Sequence, residues 1–396
     1  MNKQRGFSLV EIMVGLVIGM IGVVVIMQIL ETAERQKRTT ASGTDAQVNG
    51  TIALYALERD IRLAGYGLAS VNLLNCRINF YNSARTPNLS TFTAAPVVIN
   101  PAGIPVGDTG SDVLQIAYGN SGGVVEGATL ATSSPFVSAG LPNYGLNNSA
   151  GLAQNEFVIF AETAKLCWLA QITDPIVPPN IITRANQWNQ AAGTGVTSSN
   201  VGRVFNAGRQ LRVVVYAVRN GRLTQCDMLA SPCEDASRVA DGAVWVEISP
   251  GIVGLTASYG RDDRIADPVS VATRAAVPNV WDQTAPNLGI ADAQPNLVNA
   301  CDWVRIPVLA IALLARGSQL EATAVTAAAP QWRVGNGGSF NMAGLPGWQN
   351  SRYKVLQTVV PIRNILWMAR TGCLSDTHRC KSSVASCCSS PSSFWW

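Results

Sequence analysis

Residues 7 to 30, FSLVEIMVGLVIGMIGVVVIMQIL, form 24 consecutive positions that carry a single charge, Glu11. No other stretch limits the chain so tightly. As a helix rising 1.5 Å per residue this segment is about 36 Å long, enough to cross the hydrocarbon of a bilayer. Lys3 and Arg5 stand in front of it, which predicts that the N-terminus stays in the cytoplasm and that everything after Leu30 is exported. Glu11 is the anomaly. A lone carboxylate in hydrocarbon costs roughly 2.5 to 3.5 kcal/mol at the bilayer centre and less near its surface, and intramembrane carboxylates normally mark a functional pairing. An ordinary secretory signal has a shorter apolar core and a small-residue cleavage site at its far end. Here the small residue, Gly6, precedes the apolar run, so cleavage beside it removes the basic leader and keeps the helix.

Composition agrees with export. Charged residues are 14% of the 396, well below the usual quarter, and the net charge is only +4. That balance offers no nucleic-acid surface. Nine cysteines suggest an oxidising compartment, and the odd count leaves at least one thiol unpaired. Zinc is disfavoured because no CxxC pair exists and the only histidine is His378, close to the C-terminus.

Beyond Leu30 a charged stretch, ETAERQKRTTASGTDAQ, leads into an amphipathic one. Leu54, Leu57, Ile61 and Ala64 follow the spacing of one helix face, with Val48, Ile52 and Tyr55 beside it. The helix is expected to run from Phe7 to about Ala64, loosening if anywhere at ASGT around Gly43, and to stop at Gly65 and Gly67. Gly15, Gly19 and Gly22 give its membrane half a small-xxx-small pattern that permits close helix packing. Its outer stripe needs a partner. Six apolar or alternating runs, at 111–119, 156–162, 210–218, 243–248, 303–316 and 353–362, predict an antiparallel sheet. RNGRL at 219–223 places Asn-Gly between two of them, a strong hairpin signal. Long loops are expected around 80–110, 173–203, 261–300 and 317–350. A disulfide between Cys226 and Cys233 is expected to fasten the DMLASP loop after that hairpin, a loop with few apolar residues to hold it. Cys76 with Cys167 or Cys301 is a weaker expectation.

GFSLVE, residues 6 to 11, resembles the type IV prepilin signal: a basic leader, then Gly, Phe, Ser, Leu and Val-Glu. The resemblance implies that a prepilin peptidase cuts between Gly6 and Phe7 and methylates the new amine of Phe7. It also implies that Glu11 meets the N-terminal amine of a neighbouring subunit in the assembled filament. Further segments, LERDIRLAGYG (57–67), DVLQIAYG (112–119), GLTASYGRD (254–262), WVRIPVLAIALLARG (303–317) and VVPIRNILWMAR (359–370), are similar to those of the minor pilins called PilW. These are related in architecture to the J-type minor pseudopilins of type II secretion, which supply the alternative function. The resemblance implies an α+β, pilin-like fold with no catalysis and no cofactor. The expected organisation is a leader at 1–6, a transmembrane helix at 7–30, its continuation at 31–67, a periplasmic antiparallel β domain at 68–370, and an atypical Cys/Ser-rich tail at 371–396. The implied partners are the prepilin peptidase, other minor pilins, the major pilin, a tip adhesin and the inner membrane, with a place in the periplasm or at the pilus tip. Gln28 stands where major pilins usually carry a proline, which argues against a bulk fibre subunit.

Two patterns point elsewhere and weakly. GNSGG (119–123) fits a nucleophile elbow centred on Ser121, but its base would have to be His378, so a membrane-anchored hydrolase is a remote alternative. Asp262, Asp263 and Asp267 in DDRIAD offer carboxylates to calcium without the spacing of an EF-hand.

Overall fold

The computed structural model of the chain describes residues 8–368, apart from 69, 71–72, 122–126, 132–136, 139–140, 162–166, 191–201, 262–277, 286–302 and 304–305. Helix α1 (Leu9–Leu63) is 55 residues long, about 82 Å at the ideal rise. It does not loosen at Gly43. Packing holds that turn: the backbone N–H of Gln319 donates to Ser42 Oγ, and Ser318 Oγ donates to Asp45 at 2.9 Å. Just below it, the Glu31–Arg35 and Glu34–Arg38 pairs, four residues apart, support the charged stretch. Beyond Leu63 the chain turns through Gly65 (φ +79°) and Gly67 (φ +69°), left-handed values that suit glycine. Asn364, on the short helix α2 (Arg363–Met368), donates from Nδ2 to the carbonyls of Leu63 and Ala64 and so satisfies the end of α1.

The outer half of α1 buries Ser42, Ala46, Gly50, Ala53, Leu57, Asp60 and Ile61. Leu57, Ile61 and Ala64 are fully buried and Leu54 is partly so, but Val48, Ile52 and Tyr55 are exposed rather than packed beside them. The packed side is lined by small residues as far as Ala53, because there the strands come too close for larger ones. A Cβ on Gly50 would sit 2.2 Å from Leu356 Cδ1.

Two antiparallel sheets receive this face. One has five strands in the order Val246–Pro250, Arg222–Asp227, Arg212–Arg219, Leu114–Tyr118 and Val97–Ile99. The other has four: Val280–Asp282, Ile252–Arg261, Val308–Leu320 and Ser351–Pro361. Their central strands are apolar at consecutive positions because both faces are covered. In Arg212–Arg219, Val214, Tyr216 and Val218 turn toward α1, while Val213, Val215 and Ala217 enter a second core. That second core lies against a six-stranded sheet containing Arg77–Tyr81, Phe157–Ala161, Cys167–Gln171 and Arg203–Gly208. A third core, around Tyr144 and Phe160, joins the six-stranded sheet to a three-stranded one.

Each of the six expected runs carries a strand, although the run at 243–248 yields one only from Val246, with Val244 and Trp245 buried in the preceding turn. Several expectations fail. The loop regions 80–110, 173–203, 261–300 and 317–350 hold short strands, among them Leu89–Thr93, Asn180–Ile182, Val280–Asp282 and the Gln331–Trp332/Gly338–Ser339 hairpin. The sheets are antiparallel as expected, and among the described strands one short parallel pairing, Ile78 and Asn79 with Cys167 and Trp168, was not anticipated. The 226–233 loop is not apolar-poor in effect, because Met228 and Leu229 are buried in the second core. Cys301 lies outside the described residues, as does the 371–396 tail.

Candidate assembly surface

From Leu9 to Leu30 every side chain of α1 is exposed, and Glu11 remains the only charge there. An apolar helix of this length with none of its surface covered by the described residues of its own chain is suited to a bilayer or to other helices. Ser8 is the N-cap, and Glu11 sits in the first turn, where its carboxylate meets the positive end of the helix dipole. Among the described residues Glu11 has no side-chain hydrogen bond or ion pair. A Cβ at Gly15, Gly19 or Gly22 would meet no atom within 4 Å, so nothing among the described residues uses their small size. Gly6 and Phe7 lie outside the described residues.

This helix is joined to the β layers by a polar contact as well as an apolar one. Asp60 is fully buried on the packed side of α1, beside Leu57 and Ile61. Tyr216 Oη donates to Asp60 Oδ2 at 2.7 Å, and Arg59 Nε donates to Oδ1 at 3.0 Å. Gln225 Nε2, on the next strand, donates to Tyr216 Oη at 2.9 Å and reaches Asp60 at 3.4 Å. Burial, and then the nearby carboxylate, push the Tyr216 phenol well above its ordinary value. The same two causes push Tyr118 up to about 12, so both phenols hold their protons as donors. The hydrogen bond to Asp60 raises Arg59. Sequence inspection missed Asp60, although it lies three residues after Leu57 and one before Ile61. A carboxylate at that step of an apolar stripe was the available signal.

Two disulfides bracket the second core. Cys226 and Cys233 are bonded with their α-carbons 5.9 Å apart, and Cys76 and Cys167 with theirs 6.1 Å apart. The first closes the loop after the hairpin turned at Asn220 and Gly221, both at positive φ. Asn82 Nδ2 donates to Leu229 O at 2.8 Å, and the fully buried Arg85 side chain donates to Glu234 at 2.6 Å. The loop is thus tied to the strand Arg77–Tyr81. The second disulfide ties that strand to Cys167–Gln171 beside it.

Ser121 follows the strand Leu114–Tyr118, with Gly67 and Gly208 against it, while His378 lies outside the described residues. The Asp262, Asp263 and Asp267 cluster lies outside them too. Among the described residues no group of three or more His, Cys, Asp or Glu could hold a metal ion.

Two families match the chain: the prokaryotic N-terminal methylation motif over residues 1–27, and type IV pilus-assembly protein W over residues 215–364. The first match ends inside the exposed half of α1. The second takes in the hairpin at Asn220–Gly221, the strands of the four-stranded sheet and Asn364. No curated protein and no solved structure matches the chain.

Proposed function

We propose that the chain is a type IV pilus pilin of the PilW family, anchored in the inner membrane, and that it is a processed minor pilin that assembles with others into the complex that primes the pilus or forms its tip. The families it matches are structural rather than enzymatic. In this proposal, residues 1–6 are a leader that prepilin peptidase removes after Gly6, methylating the Phe7 amine. Residues 7–30 hold the protein in the inner membrane, residues 31–67 continue the helix, and the β domain at 68–370 lies in the periplasm. Partners are other minor pilins, the major pilin and a tip adhesin.

One observation carries the proposal. Glu11 stands in the first turn of the exposed apolar half of α1 and has no partner in its own chain among the described residues. A carboxylate so placed needs a cation from outside, and the amine of a neighbouring subunit supplies one in a low-dielectric setting where charge attraction is strong. The same helix is fixed to the β layers by Leu57, Ile61 and the Asp60–Tyr216 contact. A pull on its lower half is therefore transmitted to the domain.

The test separates insertion from assembly. Intact mass and N-terminal fragmentation of membrane-extracted protein should give a chain starting at N-methylated Phe7, and Gly6 replaced by a bulky residue should leave the leader on. Glu11→Ala should insert in the membrane as well as the wild type yet fail to restore piliation to a strain lacking the protein. A chain still starting at Met1 where the peptidase is present, or full piliation with Glu11→Ala, would overturn the proposal. Restored type II secretion instead of piliation would favour the pseudopilin role.

A further inference from the structure

The four-stranded sheet has two faces, and only one of them meets α1. On the other, Val253, Ala312 and Leu314 pack with Phe340 and Met342 beneath the Gln331–Trp332/Gly338–Ser339 hairpin. Beside that core a cavity of about 170 Å³ remains open between the hairpin and the sheet. Its floor is two cross-strand pairs of small residues, Thr256 with Ala312 and Ser258 with Ala310. Its walls are two half-buried indoles, Trp281 and Trp332.

Both indoles are held in place. Trp281 stands in the space that Gly260 and Gly335 leave, since a Cβ on Gly260 would come within 2.7 Å of its ring. Trp332 lies over Gly338 and makes an edge contact with Phe340 at 4.9 Å between ring centroids. The rim is also ordered. Gln283 Nε2 donates to Asp112 Oδ2 at 2.7 Å and to Ala257 O at 3.0 Å, and Asn336 Nδ2 donates to Trp281 O. Each amide therefore keeps its oxygen as an acceptor. The hydroxyls of Thr256 and Ser258 have no hydrogen-bond partner among the described residues.

We propose that this cavity binds one ring of a neutral sugar. Net charge does not recommend an ionic ligand, because Asp282, the only carboxylate in the lining, is paired with Arg261 and accepts from Thr284 N. A purely apolar ligand would strip water from two hydroxyls and two amide oxygens without replacing it, which is costly for each group. A pyranose answers both demands. Its C–H faces lie against indole rings, and its hydroxyls donate to and accept from the floor and rim. At about 170 Å³ the space is below the roughly 300 to 1,000 Å³ that drug-sized ligands occupy, so one ring enters and the rest of a glycan stays in solvent. Fixed walls and rim mean that little ordering is required on binding. The inference goes beyond the assembly role and does not depend on it.

The test uses the full chain in a detergent without a sugar head group, with glucose, galactose and N-acetylglucosamine as probes in saturation-transfer difference NMR. Transfer to the ring protons of at least one sugar is expected. It should be lost in Trp332→Ala, which removes a wall, and in Ala310→Leu, which fills the floor. Thr256→Val keeps the shape and removes one hydroxyl; it should weaken binding roughly fivefold and guards against misfolding of the larger changes. No transfer to any of the three sugars from protein that shows a cooperative thermal transition would overturn the proposal, leaving a hydrated gap under the hairpin. So would transfer that survives all three variants, which places the sugar elsewhere, or a proline-rich peptide binding here in place of any sugar.

Discussion

The two halves of α1 are one continuous helix with opposite uses of apolar surface. From Leu9 to Leu30 the side chains are large and uncovered, while from Ser42 to Ala53 the packed side is small and closed against strands. Apolarity alone does not separate them. What does is size at the contact: a helix that meets a sheet closely shows Ser, Ala and Gly there, and a helix that meets lipid has no need to. The Gly residues at 15, 19 and 22 break that rule in the membrane half, since nothing among the described residues occupies the room they leave.

The largest expected effect lies in the domain that α1 carries. Replacing Cys76 and Cys167 together by Ser opens a loop of 91 residues, for which the chain-entropy estimate is about 4.6 kcal/mol. Replacing Cys226 and Cys233 opens one of 7 and should cost about half as much, with Met228 and Leu229 still holding the loop. Denaturant midpoints of the two double variants give the order directly, and equal losses would show that burial rather than chain connectivity dominates both.

Next comes the comparison within the helix. Leu57→Ala removes a fully buried side chain from the first core and should cost about 3 kcal/mol. Leu16→Ala, in the uncovered half, should leave the domain's unfolding unchanged. If both moved the transition equally, the two halves would not be independent in the way their burial suggests.

Tyr216→Phe probes the polar join. It leaves Asp60 with Arg59 and the more distant Gln225 as donors, and losing a hydrogen bond to a charged group inside a core costs about 2 kcal/mol. Adding Asp60→Asn to the same chain should recover part of that loss, because a neutral amide is easier to bury than a carboxylate short of donors. Urea midpoints of the single and double variants check both signs.

How far the sequence disclosed all this follows from physical scale. The helix and the long strands were legible because a covered element must be apolar over many residues, and the hairpin because Asn220 and Gly221 accept positive φ. The strands Leu89–Thr93 and Asn180–Ile182 were not, since runs of three to five residues are too short to carry a period. The parallel register of Ile78 with Cys167 joins segments about 90 residues apart, which no local pattern encodes. Val48, Ile52 and Tyr55 misled for a related reason: their apolarity predicted burial, whereas the strands selected the small residues on the other side. Asp60 was hidden by its neighbours, because an acidic residue between Arg59 and Ile61 looks like ordinary helix surface until the stripe is followed exactly one step further.

The smallest effect is the most discriminating, because one substitution type can be placed in both halves. Gly50→Ala brings a methyl against Leu356 Cδ1. Leu356 is a nearly buried side chain on an edge strand and can rotate, so the contact should consume most of the roughly 1 kcal/mol that alanine gains over glycine in a helix. A net change within about 1 kcal/mol is expected, with Gly50→Leu far more harmful because no rotation of Leu356 makes room for four carbons. Gly19→Ala meets nothing among the described residues of its own chain and should leave the domain's thermal transition unmoved. If Gly19 is small for the sake of a neighbouring helix, however, its alanine variant should reduce piliation while membrane insertion stays normal. Wild-type piliation with Gly19→Ala, and with Gly15→Ala and Gly22→Ala added, would mean that these glycines are merely tolerated in lipid and that Glu11 alone distinguishes the lower half of α1 from an ordinary anchor.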